Sequence, residues 1–280
     1  MKTIRVLLAL MLMISAVGCL FACTGPATPP EEGNAIKINF DGQNYSVSHE
    51  GVITVNGSAL VISRGGTYEL SGTLTDGQIR VKAPKTEDVT LVLNNLTINC
   101  STSAPIYIES ANKSHIRLAE GTVNTLTDAG VYVYEYPEQT KPNACLYSSE
   151  DLSIEGAGTL IINANYNNGI GTKNDLKIKS GAITVSAVKN ALKGNDSVTV
   201  QGGTIEILKC LDGIKSDSLD AGKGFVRIED GTISISGDDD GLQASQSLEV
   251  VGGSITISVA DKPYTGDGTI YVAEGCVMLK

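Results

Sequence analysis

One motif recurs five times, at 145–168, 169–190, 191–212, 213–240 and 241–262, and self-similarity at so short a period confines a chain to stacked repeats. Each copy holds two apolar pairs separated by a glycine-bearing turn. The first pair is Leu152/Ile154, Leu176/Ile178, Val198/Val200, Val226/Ile228 and Leu248/Val250; the second is Leu160/Ile162, Ile183/Val185, Ile205/Ile207, Ile233/Ile235 and Ile255/Ile257. Alternation with a period of two marks strands. A third short strand starts at Leu146, Ile170, Leu192, Ile214 and Leu242. The copies 169–190, 191–212 and 241–262 are 22 residues long, and 213–240 carries a six-residue insertion around Ser218 to Lys223. Three strands per coil, stacked at ~4.8 Å, predict an all-β fold, a right-handed parallel β-helix; a propeller blade needs about twice that period.

The pattern is looser upstream, in Val89 to Leu93, Leu96 to Ile98, Ile106 to Ile108 and Ile116 to Leu118, so the β-helix is placed at 86–280. Residues 35–85 are expected to form an N-terminal β cap and 260–280 the opposite cap, because an open solenoid end templates aggregation. Ahead of them, 1–23 carries Lys2, Arg5 and a short apolar run ending in Gly18-Cys19-Leu20-Phe21-Ala22-Cys23, the pattern of an export segment. Cys23 fits a bacterial lipoprotein cleavage site, with Cys19 the alternative, and 24–34 would then be a flexible tether. The expected location is the bacterial cell surface with a lipid anchor as the membrane contact, or simple secretion.

Composition excludes several chemistries. The net charge is −10, and removal of the segment with Lys2 and Arg5 would leave about −12, so nucleic acid is not an expected partner. His49 and His115 are the only histidines, too few for a histidine-rich zinc site. Cys100, Cys145, Cys210 and Cys276 lack metal-cage spacing and read as separate buried thiols.

Stacking turns a linear motif into a surface. The residue before the third strand's Gly/Ala step reads Asn168, Asn190, Asp212, Asp240, with Asp238 and Asp239 alongside the last. Two carboxylates about 5 Å apart repel by roughly 3 kcal/mol at an effective dielectric near 20, so a cation is expected among Asp212, Asp238, Asp239 and Asp240. Hard oxygen donors suit calcium better than zinc or iron. Asn168 and Asn190 serve equally as ligands or as a hydrogen-bonded stack, and Asp217 and Asp196 are candidates for a neighbouring turn.

Lys193 and Lys215 fall three residues after Asn190 and Asp212, and should pair beside the acidic row, either as surface ion pairs or as a clamp for the carboxylate of an acidic sugar. The chain has no Trp, so any aromatic platform for carbohydrate falls to Tyr. Tyr132, Tyr134 and Tyr136 alternate next to a Pro-containing excursion at 137–143, and read either as a platform or as packing under a loop. Tyr107 and Tyr147 are placed to stack on one another in neighbouring coils.

Six stretches carry a resemblance: Gly66 to Ile79, Val89 to Ile98, Asp151 to Leu160, Ala191 to Gly194, Asp212 to Asp217 and Asp239 to Ala244. Over roughly 36–260 the chain resembles the carbohydrate-binding β-helix domains of bacterial surface proteins, which are similar in shape to family 9 pectate lyases. That resemblance implies calcium held in coil turns by Asp212, Asp217, Asp239 and Asp240, and a polysaccharide ligand such as polygalacturonate or cellulose. Asn168 and Asn190 stand where that pattern would have Asp, which weakens a second calcium there. Two other functions stay open. One is a calcium-dependent lyase with Lys193 or Lys215 as base, although an arginine partner is not obvious; the other is a structural adhesin with stabilising calcium.

Overall fold

The computed structural model describes residues 35–49 and 51–280. Among them there is no helix, and the strands wind into about nine turns of a right-handed parallel β-helix. Three parallel ladders run its length. The third contains Ala144–Ser148, Asn168–Thr172, Leu192–Gly194, Ile214–Ser216 and Leu242–Ala244, and forms a sheet of its own. The other two share one sheet, because Gly66–Leu74 and Val89–Asn99 each run through a corner and serve both ladders.

Register follows the repeat seen in the sequence. Leu91, Ile116, Ile154, Ile178, Val200, Ile228 and Val250 stand one above another in the first ladder. Ile79, Ile106, Leu146, Ile170, Leu192, Ile214 and Leu242 do so in the third. These columns are buried and fill the interior. Burying each such side chain contributes about 1.5–3 kcal/mol before conformational entropy is counted. Cys100, Cys145 and Cys210 are buried free thiols and Cys276 is half-buried, as isolated cysteines should be.

The ends differ from the expected caps. Ile36–Gly42 with Asn44–Val47, and Ile53–Asn56 with Ala59–Ile62, form antiparallel hairpins. Gly66–Leu74 and Gln78–Lys82, inside the expected cap, already pair in parallel with the next coil, so the winding begins well before residue 86. At the other end Tyr264–Gly266, Ile270–Val272 and Val277–Leu279 each extend a ladder, so 260–280 is a further coil and not a separate cap. Both differences have one origin: a coil with fewer aliphatic residues still pairs through its backbone.

One buried polar residue explains how the long strand turns its corner. Val89–Asn99 bulges at Asn95, which takes the left-handed conformation at φ 55°, and its partner strand shifts register at Gly72, φ 84°. A Cβ on Gly72 would lie 2.1 Å from the Phe40 carbonyl oxygen, so only glycine fits. The bulge deprives the Leu96 N–H of a strand partner, and Asn124 Oδ1 accepts it at 2.9 Å from within the core. The Asn124 amide donates in turn to Thr122 Oγ1 and the Thr159 carbonyl. Asn124 stands beside Leu160, where the column is otherwise aliphatic. Asn124→Leu should therefore destabilise the fold by about 1–3 kcal/mol despite its greater hydrophobicity, because it orphans a buried N–H. A denaturant midpoint equal to or above that of the wild type would refute this assignment.

Candidate functional site

The corner that leads into the third ladder holds the acidic row. Three of the four corner side chains use one oxygen for the backbone: Asn168 Oδ1 accepts the Asn190 N–H at 3.3 Å, Asp212 Oδ1 the Asp240 N–H at 3.3 Å, and Asp240 Oδ1 the Lys262 N–H at 3.2 Å. An amide oxygen does this as well as a carboxylate, so the backbone alone does not require Asp at 212 and 240. At Asn168 the same oxygen also accepts the Asn190 amide at 2.6 Å, which makes the asparagine stretch a hydrogen-bonded stack.

Carboxylate oxygens of Asp212, Asp239 and Asp240 lie within 4.8 Å of one another, with Asp212 and Asp240 buried and Asp239 exposed. Loss of water around its carboxyl group, followed by the charges of Asp212 and Asp240, holds Asp239 above the ordinary aspartate value. Lys215 Nζ donates to Asp212 Oδ2 at 2.8 Å, and Gln243 Nε2 donates to Asp240 Oδ2 at 2.9 Å. The Gln243 Oε1 oxygen is buried with no hydrogen-bond partner. Three carboxylates and one ammonium leave two negative charges, matched to a divalent cation. Oxygens up to 4.8 Å apart can share an ion at the calcium–oxygen distance of about 2.4 Å.

The structure separates other expected ligands from this cluster. Asp217 Oδ2 accepts from Lys193 Nζ at 2.5 Å, so it compensates the lysine of the preceding coil. Asp238 is exposed and outside the cluster. Asp196 pairs with Lys223 at 2.9 Å. Asn168 is committed to its neighbours, and Asn190 is the next in the row before Asp212. Two participants went unnoticed in the sequence. Gln243 occupies the position of Lys193 and Lys215 one coil on, and Asp261 follows Asp239 by one repeat, its N–H donating to the Asp239 carbonyl.

Outward from the third ladder runs one column: Arg80, Tyr107, Tyr147, Gly171, Lys193, Lys215, Gln243. Lys193 and Lys215 are in register, as expected, yet each engages a different aspartate. Tyr107 and Tyr147 rings approach to 5.9 Å between centroids in a tilted arrangement. Arg80 lies over Tyr107 and is held by Glu109 and Glu135.

Comparison with known proteins gives the following. The model of the carbohydrate-binding domain-containing protein family matches residues 56–276. A "carbohydrate-binding domain-containing protein" of Acetivibrio thermocellus is 48% identical over 151 residues, which cover 54% of this chain and 53% of that protein. The chain thus spans about half the length of the curated relative it matches. A solved structure described as a polysaccharide lyase-like protein from C. thermocellum, a gadolinium derivative, superposes with a TM-score of 0.85 at 44% identity. That match covers 87% of this chain and 99% of the other.

The three tyrosines of the 132–136 stretch do not form a platform. Tyr132 is buried, stacked on Tyr166 at 4.2 Å and packed with Ala104 and Ala129, while Tyr134 donates to the Pro142 carbonyl and only Tyr136 is exposed. Alternation put their rings on one side, but the chain there is irregular and folds back on the coil. Tyr132 donates to Asp128 Oδ2 at 2.7 Å and to the Ala144 carbonyl. Burial raises the Asp128 carboxyl from 3.8 to about 6. An acid raised in the folded state is more protonated there than in the unfolded chain, so this group stabilises the fold as pH falls from about 6 to 3.8 and destabilises it above. Asp128→Asn keeps an acceptor for the Asn165 N–H and removes the charge. It should melt above the wild type at pH 8, by the equivalent of at most about 3 kcal/mol, with the gap closing near pH 4. A gap independent of pH would refute the assignment.

Proposed function

The chain belongs to the carbohydrate-binding domain-containing protein family, and we propose that it is a polysaccharide-binding protein that holds an acidic, polygalacturonate-like chain through calcium bound at Asp212, Asp239 and Asp240. The observation that carries the calcium reading is the charge balance at that corner: three carboxylates face a single ammonium, and two of the carboxylates are buried. Gln243 supports it independently. Its amide nitrogen donates to Asp240 Oδ2 and its buried amide oxygen has no donor, so an uncharged hard oxygen is left free beside the carboxylates, of the kind that completes a calcium shell. The structural relative was described as a gadolinium derivative, and gadolinium is a hard cation that seeks the same oxygen donors as calcium. A protein of net charge −10 needs such a bridge to bring polyuronate close.

Binding is favoured over cleavage because Lys193 and Lys215 both donate to carboxylates, whereas a general base must present a free lone pair. Arg80, Arg117 and Arg227 are each committed to glutamates, so none stands ready as a partner for a base. The place of action we propose is the bacterial surface, with lipid attachment at Cys23 or Cys19, both outside the described residues.

Calcium should raise the melting temperature and a chelator should reverse the rise. Asp212→Asn and Asp240→Asn keep the backbone-capping oxygen but lose charge, and should each weaken calcium affinity by roughly tenfold or more. In an affinity gel, polygalacturonate should retain the protein only with calcium, and no absorbance from unsaturated product should grow. A melting temperature indifferent to calcium refutes the metal; retention absent despite a calcium shift leaves stiffening as its role; product growth abolished by Lys215→Ala establishes a lyase. Cys23→Ser should move the protein from the membrane fraction to the medium, and an unchanged distribution with Cys19→Ser releasing it instead would shift the anchor to Cys19.

A further inference from the structure

Three coils before the acidic cluster, the third ladder's outer face opens into a cleft of about 570 Å³ lined by Lys85, Lys141, Tyr147, Ser149, Glu150 and Lys173. Its carboxylates are already engaged. Glu150 pairs with Lys85 at 3.1 Å, and Glu109 at the edge serves both Arg80 and Lys82. Among the described residues, neither Lys141 nor Lys173 has a carboxylate within 4.0 Å. The cleft therefore carries uncompensated positive charge on a protein that is otherwise acidic.

At its floor lies an unexplained polar atom. Tyr147 is 1% exposed, and its hydroxyl is buried without a hydrogen-bond partner; Ser149 stands beside it but not in bonding geometry. A buried hydroxyl left unpaired costs about 1–3 kcal/mol, which a ligand accepting from it would recover. Lys141 Nζ lies over the Tyr147 ring, 5.2 Å from its centroid, and burial together with the charge of Lys193 holds it below the ordinary lysine value. Its backbone is fixed from the 137–143 excursion: Tyr134 donates to the Pro142 carbonyl, and Gln139 to the Lys141 carbonyl at 2.7 Å. Gly171, next in the column, lets Ala144 and the Tyr147 ring pack closely against the ladder; a Cβ there would meet Tyr147 at 3.4 Å and Ala144 at 2.9 Å.

We propose that this cleft is an anion subsite that seats the carboxylate of an acidic sugar, with the Tyr147 hydroxyl donating to it and Lys141 and Lys173 closing on it from either side. This rests on the acidic-polysaccharide reading above and locates a contact that does not pass through calcium. The unbranched path from Tyr147 through Gly171 and Lys193 to Lys215 connects the cleft to the cluster along the axis, about three strand spacings or ~14 Å.

The test titrates the full chain with a galacturonate oligosaccharide and with its methyl ester, in calcium. Wild type should bind the acid and not the ester. Tyr147→Phe, which keeps the ring and removes the unpaired hydroxyl, should weaken binding of the acid about tenfold with a melting temperature at or above that of the wild type, and Lys141→Gln with Lys173→Gln should weaken it more strongly, while the calcium-induced shift stays at its wild-type value in both. If wild type binds the acid and these variants bind it equally, the cleft is refuted and the acidic-polysaccharide reading stands. If wild type binds neither ligand, both fall. Equal binding of acid and ester refutes the carboxylate subsite.

Discussion

Parallel strands paired in register bring every equivalent residue of successive coils to within about 5 Å, and no side chain escapes this because the backbone N–H and C=O groups must be paired. Inside, the consequence is favourable: aliphatic columns touch along the axis and exclude water. At the corners and outside it is a constraint, since a charge repeated in the sequence becomes a charge repeated in space. The acidic corner shows both faces of that rule. One oxygen of Asn168, Asp212 and Asp240 is consumed in capping the next coil's N–H, a job for which the amide of Asn168 suffices. Replacement by aspartate at 212 and 240 adds repulsion without adding a cap, and the adjacent Asp239 compounds it.

How the molecule answers such repulsion varies along the axis. On the first ladder's outer face, Arg227 is set between Glu229 and Glu249, so acid and base alternate within one coil step. Exposed pairs of that kind contribute less than about 1 kcal/mol each and need no ligand. Lys193 and Asp217 balance in the same way. Where Asp212, Asp239 and Asp240 meet, the local supply of cations falls short, with Lys215 alone against three clustered acids. A reciprocal shortage of anions occurs at Lys141 and Lys173. These two imbalances lie on the same face of the solenoid, and a polyanion bridged by a divalent cation would satisfy both.

Much of this was legible in the sequence because period is a strong signal. The three ladders, their inward columns and the Asn168–Asn190–Asp212–Asp240 row follow directly from aligning 22-residue copies. The same arithmetic carried one repeat further would have found Asp261 and Gln243. Where the period weakens, reading fails for identifiable reasons. The coil around Gly66–Leu74 turns its corner within one continuous strand, at Gly72 opposite the Asn95 bulge, so its strand looks too long for the motif. Asn124 looks like a surface residue because its partner, the N–H of Leu96, is created by that bulge. Asp238 is expected as a ligand from its place beside Asp239 and Asp217 from the family resemblance, and both lie outside the group formed by Asp212, Asp239 and Asp240.

The 129–143 excursion shows why aromatic alternation misleads. Three tyrosines in a row of alternating residues suggest a surface strand, but the segment has no strand to pair with and must find its stability in packing. Tyr132 supplies it by entering the gap beside Ala104 and Ala129 and by binding Asp128, whose carboxyl group is pushed up to about 6 by the same burial. Tyr134 then ties down Pro142, and the chain passes over the third ladder with Lys141 above Tyr147. The tyrosines thus act on the outer face at one remove: they fix a loop, and the loop delivers a cation to a place where the ladder itself, with Tyr147 and Gly171 in its column, has none. Register dictates most of the surface of this fold, and an inserted loop is the means by which a charge can be placed independently of it.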